Sequence, residues 1–431
     1  MLTGLVTPAR LVAAGLLTLL TLPAVAATPA AASPGTGARP ASSGPSIAVR
    51  SIRSAEQPQL GAISAQKAWA VTKGSGVTVA VLDTGVDGSV PDLAGSVTTG
   101  PDETAGVDPR GYHPPRLHGT YIASLIAGHG SGAGRRSGVI GVAPAAKILS
   151  VRVILDDGEP GFGEFAAESA NDDAIGTGIT YAVSHGARVI NMSLGSTAPT
   201  KGLRAALAAA AAHGVVVVAA AGNNGAAQHG YTPLSYPAAF PGVIAVAAVS
   251  LDGKRAAFSD NNSSVVLSAP GVNVVGAGPG GSYLEADGTS PASAIVAGVA
   301  ALIRARYPQL SPVQVKQAML TSARYRPSAG YSPATGFGEV DAPAALAAAG
   351  RLSAGHAATG VAAGARFAQP GPIQVVHRDH TRITGYTVAA IVFGLGFLVL
   401  LVVLIVRIRR LRSVKPDTTP PSLSKAGTDS Q

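Results

Sequence analysis

Short apolar segments rich in β-branched residues alternate with longer, helix-patterned segments through residues 56–351. The apolar segments include GVTVAVLD, KILSVRVI, ARVINMSLG and VVVVAAAGN. The segments with helical spacing include HGTYIASLIAG, LRAALAAAAAHG and ASAIVAGVAALIRARYP. Strands that are apolar throughout and separated by helices are typical of a mostly parallel sheet covered on both faces. The sequence therefore predicts an α/β domain of three layers, with a central sheet flanked by helices.

The same alternation continues toward residue 350 and indicates where function is to be found. VIAVAAVS and VVLSAPG predict two further strands, and SPVQVKQAML predicts a helix capped by Ser311 with Pro312 at its first position. In open parallel sheets, ligands bind in the crevice beyond the carboxyl ends of the strands. We therefore expect functional residues where strands end and helices begin.

The N-terminal segment has the pattern of a secretory signal peptide. Arg10 precedes a short apolar core, and AVA at residues 24–26 provides the small residues of a cleavage site. A membrane anchor is the alternative, but the apolar core is short and is followed at once by small residues and prolines. We predict a signal peptide over residues 1–26 and a low-complexity extension over residues 27–55.

A second apolar segment near the C-terminus is long enough to cross a bilayer. Residues 387–406 contain no charged side chain, and 20 helical residues span the hydrocarbon layer of about 30 Å. A buried helix of a soluble protein is the alternative. Five Lys or Arg residues follow within residues 407–415, so the positive-inside rule predicts a cytoplasmic tail over residues 407–431 and an extracytoplasmic domain. Residues 352–386, rich in Gly, Ala and Pro, are predicted to be a linker.

Composition excludes several classes of function. The net charge of +9 is typical of nucleic-acid binding, but aromatic residues make up only 4% and no stripe of basic and aromatic residues is found. The densest basic cluster directly follows the apolar segment, so we predict no nucleic-acid partner. The chain contains no Cys, which excludes disulfides, thiolate–zinc sites and a Cys nucleophile.

Three polar residues lie at predicted strand or helix ends. Asp83 ends the strand GVTVAVLD, His118 opens the helix of HGTYIASLIAG, and Ser290 lies in DGTSPASA before an apolar helix. Taken singly, they are more typical of a turn residue, a structural donor and a helix cap. Taken together, they supply the orienting acid, the base and the nucleophile of acyl transfer.

A fourth residue fits the same chemistry. Asn223 follows the strand VVVVAAAG, where its side chain and the backbone N–H of Ser290 can donate to the oxyanion of a tetrahedral intermediate. Asn223 and Asn224 could instead be plain turn residues. The chain order Asp, His, Ser is that of the subtilisin-type arrangement. The chain has no G-x-S-x-G before a helix, which argues against an α/β-hydrolase.

The motifs VAVLDTGVDGSVPDL, HGTYIASLIAG, GVAPAAKILSVRV, VINMSLGS, AAAGNNG, SYPAAFPGVIAVAAV, SAPG and GTSPASAIVAGVAAL closely resemble those of the subtilases. The resemblance covers residues 57–348 and implies a subtilisin-like fold and a serine endopeptidase. We predict no cofactor and assign no residue as a metal ligand. It implies that Asp83 orients His118, that His118 acts as general base and then acid, that Ser290 attacks, and that Asn223 stabilises the oxyanion. The residues it implies for backbone pairing with an extended protein or peptide substrate are Ser193, Leu194, Gly195, Ala220, Ala221 and Gly222.

The overall layout resembles the mycosins, membrane-anchored subtilases of type VII secretion in actinobacteria. A signal peptide, a subtilase domain, a linker, one transmembrane helix and a basic tail occur in that order. This resemblance implies a single-pass cell-membrane protein that acts with a type VII secretion complex. The alternative is a structural component of such a complex, in which proteolysis is secondary or lost. The absence of Cys departs from the mycosin pattern.

Two other segments depart from the subtilase pattern. Pro291 follows Ser290, and we predict that it occupies the first helical position and holds Ser290 in an extended conformation. Residues 156–173, DDGEPGFGEFAAESANDD, form an acidic segment after a predicted strand. Calcium binding is the alternative for this segment, but the spacing fits no known ligand loop, so solvated acidic side chains are predicted.

Overall fold

The computed structural model describes residues 49–104, 106–167, 170–196, 199–225, 230–358 and 380–412. The predicted signal peptide, most of the predicted extension and linker, and most of the predicted tail lie outside these residues. The chain divides into two units at residues 360 and 361, with the described residues up to 358 in the first and those from 380 in the second.

The first unit is built on a seven-stranded sheet. The described strands of this unit, which include the seven of this sheet and four outside it, are β1 (Thr78–Asp83), β2 (Val97–Asp102), β3 (His129–Ser131), β4 (Ser137–Ile140), β5 (Lys147–Arg152), β6 (Val189–Met192), β7 (Val216–Ala220), β8 (Ile244–Val249), β9 (Val265–Pro270), β10 (Val274–Ala277) and β11 (Tyr283–Ala286). The strand order in the sheet is β2-β5-β1-β6-β7-β8-β9, and every one of its pairs is parallel.

Helices cover this sheet in the first unit, and one long helix forms the described part of the second. They are α1 (Val49–Ala62), α2 (Ala65–Trp69), α3 (Leu117–Ala127), α4 (Phe162–Ala167), α5 (Ala170–Ser184), α6 (Lys201–Ala212), α7 (Thr289–Arg306), α8 (Pro312–Ser322), α9 (Ala342–Ala358) and α10 (His380–Arg412). The predicted three-layer α/β fold is confirmed.

The alternation of side chains along β1 separates the two cores of the domain. Val79 and Val81 pack in one cluster with residues of α3 and α7, whereas Ala80 and Leu82 pack in the other with residues of α5 and α6. Because successive side chains of a strand point to opposite faces, a fully apolar strand is buried on both sides. This is why the apolar runs predicted the central strands correctly.

The strands that prediction missed are either polar or short and outside the main sheet. β2 is an edge strand whose residues are only partly buried or exposed, and its sequence VTTGPD is polar. The pairs β3–β4 and β10–β11 are two-stranded antiparallel sheets outside the main sheet. A short or polar strand has no periodicity that distinguishes it from a loop.

Helices α7 and α8 form where the sequence predicts helices. Ser311 caps α8 by accepting from the backbone N–H of Gln314, and Pro312 is its first residue, as predicted. α7 is buried along nearly its whole length. A Cβ on Gly298 of α7 would lie 2.6 Å from Cβ of Val142, so the small residue allows close packing.

Helix α1 joins part of the predicted extension to the domain. The predicted boundary between residues 55 and 56 falls inside this helix, and Ile52 is buried. Glu56 accepts a hydrogen bond from the N–H of Ile140, and the Gln59 side chain donates to the carbonyl of Asn273. Helix α1, which spans the predicted boundary, thus packs against β4 and the loop before β10.

The second unit contains the predicted membrane-crossing segment. Within α10, residues Ala390–Arg409 form a 20-residue stretch that is long and apolar enough to cross a membrane. The predicted span over residues 387–406 lies within this helix. The domain boundaries stay predictions, and α9 continues to Ala358, past the predicted domain end at residue 351.

Candidate active site

Two predicted site residues are in direct contact at the carboxyl end of β1. Asp83 is the last residue of this strand and is fully buried, and His118 is the second residue of α3. Nδ1 of His118 lies 2.7 Å from Oδ1 of Asp83, and the same oxygen accepts from the N–H of Thr84. Because a carboxylate only accepts, Nδ1 carries the proton, and Nε2 is left to accept one.

A close approach between backbones holds α3 against this strand end. A Cβ on Gly119 would lie 2.1 Å from the carbonyl oxygen of Gly85, so only glycine fits there. The N–H of Gly119 also donates to Oγ1 of Thr84 at 3.1 Å. The D-T-G motif at residues 83–85 therefore packs directly against the H-G motif at residues 118–119, which brings the imidazole of His118 into contact with the carboxylate of Asp83.

Neighbouring charges set the protonation of the imidazole. Burial by itself lowers the pKa of His118, but the charge and hydrogen bond of Asp83 outweigh it, and Asp156 and Asp157 add to them. The pKa of His118 is raised above its ordinary value as a result. The site thus favours an imidazolium, which is the form that a general base acquires.

Ser290 does not cap its helix. α7 begins at Thr289 with Gly288 as its N-cap residue, and this residue makes no side-chain capping hydrogen bond. Ser290 is the second helical residue, and its hydroxyl donates to the carbonyl of Ser193 at 3.3 Å. The cap interpretation is therefore wrong.

The predicted place of Pro291 is also wrong. Because the helix begins at Thr289, Pro291 occupies its third position rather than its first, and Ser290 is helical rather than extended. The first four N–H groups of a helix have no partner within it, so a proline is tolerated at this position without loss of a hydrogen bond.

The side chain of Asn223 is held by the start of α7. Its Oδ1 accepts from both the N–H and the hydroxyl of Thr289, each at 2.9 Å. Oxygen must face these donors, so the Nδ2 group of Asn223 points away from them and beside Gly288. Thr289 also accepts from the N–H of Gly222 at 3.2 Å. Sequence reasoning missed Thr289, although it precedes Ser290 in the quoted motif.

The first predicted substrate-binding segment follows β6. Ser193 is buried, and its hydroxyl accepts from Nδ2 of Asn191 and donates to the carbonyl of Ser290, so its side chain joins β6 to α7. Leu194 is half-buried and Gly195 is exposed. Within the described residues, no backbone hydrogen bond engages either of these two, which leaves their peptide groups available to an added strand.

The second predicted segment, at the end of β7, is more constrained. Ala220 and Ala221 are buried, and the N–H of Ala221 donates to the carbonyl of Val246. Gly222 has φ +116°, and a Cβ there would lie 2.2 Å from Oδ2 of Asp260. The N–H groups of Ala221 and Gly222 are thus already used inside the protein.

The prediction of solvated acidic residues is wrong at two positions of the acidic segment. Asp156 is 8% exposed and Glu159 is 6% exposed, whereas Asp157 between them is exposed. Asp156 accepts hydrogen bonds from the backbone at the start of α3, and Glu159 binds Arg152. In the part of the chain that the structure describes, no three His or acidic side chains lie close enough to hold a metal ion.

The family model described as the subtilase family matches residues 74–338. The chain belongs to the subtilase family. The match extends from just before β1 to just before α9 and contains all ten predicted site residues.

Curated relatives of this subtilase are bacterial proteases. The thermostable alkaline protease of Halalkalibacterium halodurans is 39% identical over 254 residues, which cover 58% of this chain and 63% of the relative. Subtilisin E of Bacillus subtilis is 37% identical over 254 residues, and there the match spans 61% of the relative's length. Subtilisin BL of Lederbergia lenta is 38% identical over 274 residues, which cover 63% of this chain and 91% of the relative.

Solved structures give the same fold. MycP1 with its N-terminal propeptide removed aligns with a TM-score of 0.57 and 29% identity, covering 67% of this chain and 96% of that structure. MycP3 protease from the type VII (ESX-3) secretion system aligns with a TM-score of 0.55 and 31% identity, covering 67% and 87%. Fervidolysin from Fervidobacterium pennivorans, a keratinolytic enzyme related to subtilisin, aligns with a TM-score of 0.57 and 33% identity, covering 67% and 45%.

Proposed function

We propose that this subtilase is a serine endopeptidase that cleaves extended segments of proteins through an acyl-enzyme. The observation that carries the proposal is the 2.7 Å contact between Nδ1 of His118 and the buried carboxylate of Asp83. Such a contact leaves Nε2 as the base for a hydroxyl nucleophile, and Ser290 stands at the start of α7, where a helix N-terminus favours negative charge.

In the proposed reaction His118 takes the proton of the Ser290 hydroxyl as its oxygen attacks the substrate carbonyl. The carbonyl oxygen becomes an oxyanion, which accepts from Nδ2 of Asn223 and from the N–H of Ser290. The C–N bond then breaks, and the imidazolium gives its proton to the leaving amine. A water molecule, deprotonated by His118, hydrolyses the acyl-enzyme and restores the hydroxyl.

Active-site labelling tests this proposal. The full chain in detergent is expected to react with a fluorophosphonate probe and to hydrolyse a peptide substrate. Ser290→Ala is expected to abolish both, while Ser282→Ala, which alters an exposed hydroxyl at a loop, leaves both unchanged. Undiminished labelling of the Ser290→Ala variant, with the fold shown intact by circular dichroism, would assign the nucleophile elsewhere.

We further propose that α10 anchors the subtilase in the cell membrane with the domain outside and the basic tail in the cytoplasm. The support is the 20-residue apolar stretch and the arginines at its C-terminal end. Since the chain has no Cys, single cysteines report sidedness without background. A membrane-impermeant maleimide is expected to label a Ser282→Cys variant in intact cells and a Ser430→Cys variant only after permeabilisation. The reverse pattern would invert the topology.

A role in type VII secretion is proposed from the likeness to MycP1 and MycP3. The MycP3 structure is described as that of a protease from such a system, and the identity of 31% lies within the domain. The second candidate is a structural component of the secretion complex. Complementation separates the two, because full secretion restored by Ser290→Ala would favour the structural role, and lost secretion the peptidase role.

A further inference from the structure

A buried carboxylate far along the chain lies at the N-terminus of α3, beside the proposed general base. Asp156 follows β5, and both of its oxygens bind the start of the helix. Oδ2 accepts from the N–H of Leu117 at 2.7 Å, and Oδ1 accepts from the N–H of His118 at 3.1 Å. These N–H groups have no partner within the helix, so Asp156 satisfies donors that would otherwise be unpaired.

Helix α3 has no cap from its own sequence. The residue before it, Arg116, lies in the left-handed region with φ 52° and makes no side-chain capping bond. The cap comes instead from a residue 38 positions after His118. A carboxylate at this end of a helix also complements the helix dipole.

Asp156 is itself held by buried polar contacts that begin on the sheet. Its N–H donates to Oε1 of Glu159 at 2.6 Å, and Oε2 of Glu159 accepts from Arg152 at 2.8 Å. Arg152 is the last residue of β5 and is in register with Asp83 on β1. These contacts therefore fix the position of the Asp156 carboxylate relative to β1, the strand that carries Asp83.

The charges around the imidazole are those of Asp83, Asp156 and Asp157. Burial raises the pKa of Asp156, whereas its bonds to the N–H groups of Leu117 and His118 and the charge of His118 act in the opposite direction. The charge of Asp157 is exposed to solvent and screened. Asp156 is thus a buried carboxylate, in addition to Asp83, whose charge interacts with the charge of the imidazole.

We propose that Asp156 is a positioning residue for His118. It fixes the backbone that carries the imidazole, and its negative charge stabilises the imidazolium that forms during acyl transfer. The inference rests on the proposed peptidase function.

The test compares Asp156→Asn with Asp157→Asn in the full chain in detergent. Both variants remove one carboxylate, but only the first removes one of the two oxygen acceptors that cap α3. Asp156→Asn is expected to lower kcat roughly 10- to 100-fold with little change in KM, because imidazole geometry acts on the chemical step. Removing a negative charge destabilises the imidazolium, so the acid limb of the kcat/KM profile is expected to move roughly 0.5 to 1 pH unit lower.

Asp157→Asn is expected to match the wild type in kcat and to move the acid limb less than Asp156→Asn does, because the charge of Asp157 is exposed and screened. Equal limb shifts in the two variants, or an unshifted limb in Asp156→Asn, would overturn the inference. If Asp156→Asn does not fold, Asp156→Glu is measured, which keeps the charge and displaces the carboxylate. We expect the acid limb of Asp156→Glu to stay at the wild-type pH and its kcat to fall. A kcat equal to that of the wild type would overturn the inference.

A second readout does not depend on turnover. The His118 imidazole is titrated by NMR in a Ser290→Ala background, with and without Asp156→Asn, using His118→Gln to assign its signal. The variant is expected to titrate at lower pH, and an unchanged midpoint would overturn the inference. A wild type that hydrolyses nothing would refute the peptidase proposal alone, since this titration would still decide the role of Asp156.

Discussion

Nδ1 of His118 lies 2.7 Å from Oδ1 of Asp83, although the two residues are 35 positions apart in the chain. The carboxylate is fully buried at the end of β1, and the imidazole is 19% exposed at the start of α3. This relationship depends on the close approach of Gly119 to the carbonyl of Gly85. It places a fixed, oriented base at the carboxyl edge of the sheet.

Replacing the buried carboxylate tests the orientation of the imidazole. Asp83→Asn keeps the shape of the side chain but lets its amide favour the other tautomer of His118, so kcat is expected to fall about 10⁴-fold. The measurement is peptide hydrolysis by the full chain, with Asp252→Asn at an exposed loop as the control. A loss below tenfold would show that Asp83 does not orient the base.

Asn223→Ala tests the oxyanion site. Removing one such donor is expected to lower kcat roughly 10²- to 10³-fold with KM nearly unchanged, because the oxyanion exists only after attack. Thr289→Val, which removes the hydroxyl that orients Asn223, is expected to cause a smaller loss of kcat. A rise in KM with kcat preserved would instead place Asn223 in ground-state substrate binding.

The buried carboxyl group of Asp260 binds the loop that carries Asn223. Its burial predicts that the stability of the folded chain depends on pH. The Asp260 carboxylate accepts from the N–H of Asn224 at 2.7 Å, and Arg255 is the charged group that faces it. Burial raises its pKa from 3.8 to about 6 against these opposing effects. The folded state therefore binds the proton more tightly, and stability falls as pH rises from about 4 through 6.

The difference between these pKa values corresponds to a change in the free energy of unfolding of at most about 3 kcal/mol. Asp260→Asn is therefore expected to raise the melting temperature relative to the wild type more at pH 8 than at pH 5. Thermal unfolding of the full chain in detergent measures this difference. An equal change at both pH values would mean that Asp260 does not titrate in this range.

Ile52→Ala tests whether α1 is an integral part of the domain. Ile52 is buried against β4 and β10, so its truncation is expected to lower the free energy of unfolding by about 2–5 kcal/mol. Val71→Ala, at a half-exposed position, is the control and is expected to change it by less than about 1 kcal/mol. A wild-type stability for Ile52→Ala would show that α1 packs only loosely.

The prediction of the site from the sequence depended on where polar residues interrupt apolar runs. Asp83 ends a strand, His118 opens a helix, and a residue at such an edge stands out from its neighbours. Thr289 and Asp156 do not stand out in this way, because Thr289 resembles an ordinary helix-start residue and Asp156 belongs to an acidic run. Their contacts join residues 66 and 38 positions apart, and a local pattern contains no information on such pairs.

The sequence by itself determined the α/β architecture, the apolar span and the strand and helix ends at which the candidate site lies, because these depend on periodicity and on residue type. Only the tertiary structure decided that α7 begins at Thr289 rather than Pro291, that Asp156 is buried against the start of α3, and how the amide of Asn223 is oriented. Each of these depends on which donors and acceptors meet once distant segments pack. Burial removes water as an alternative partner, so a buried polar group can be bound only by a group that the fold brings to it.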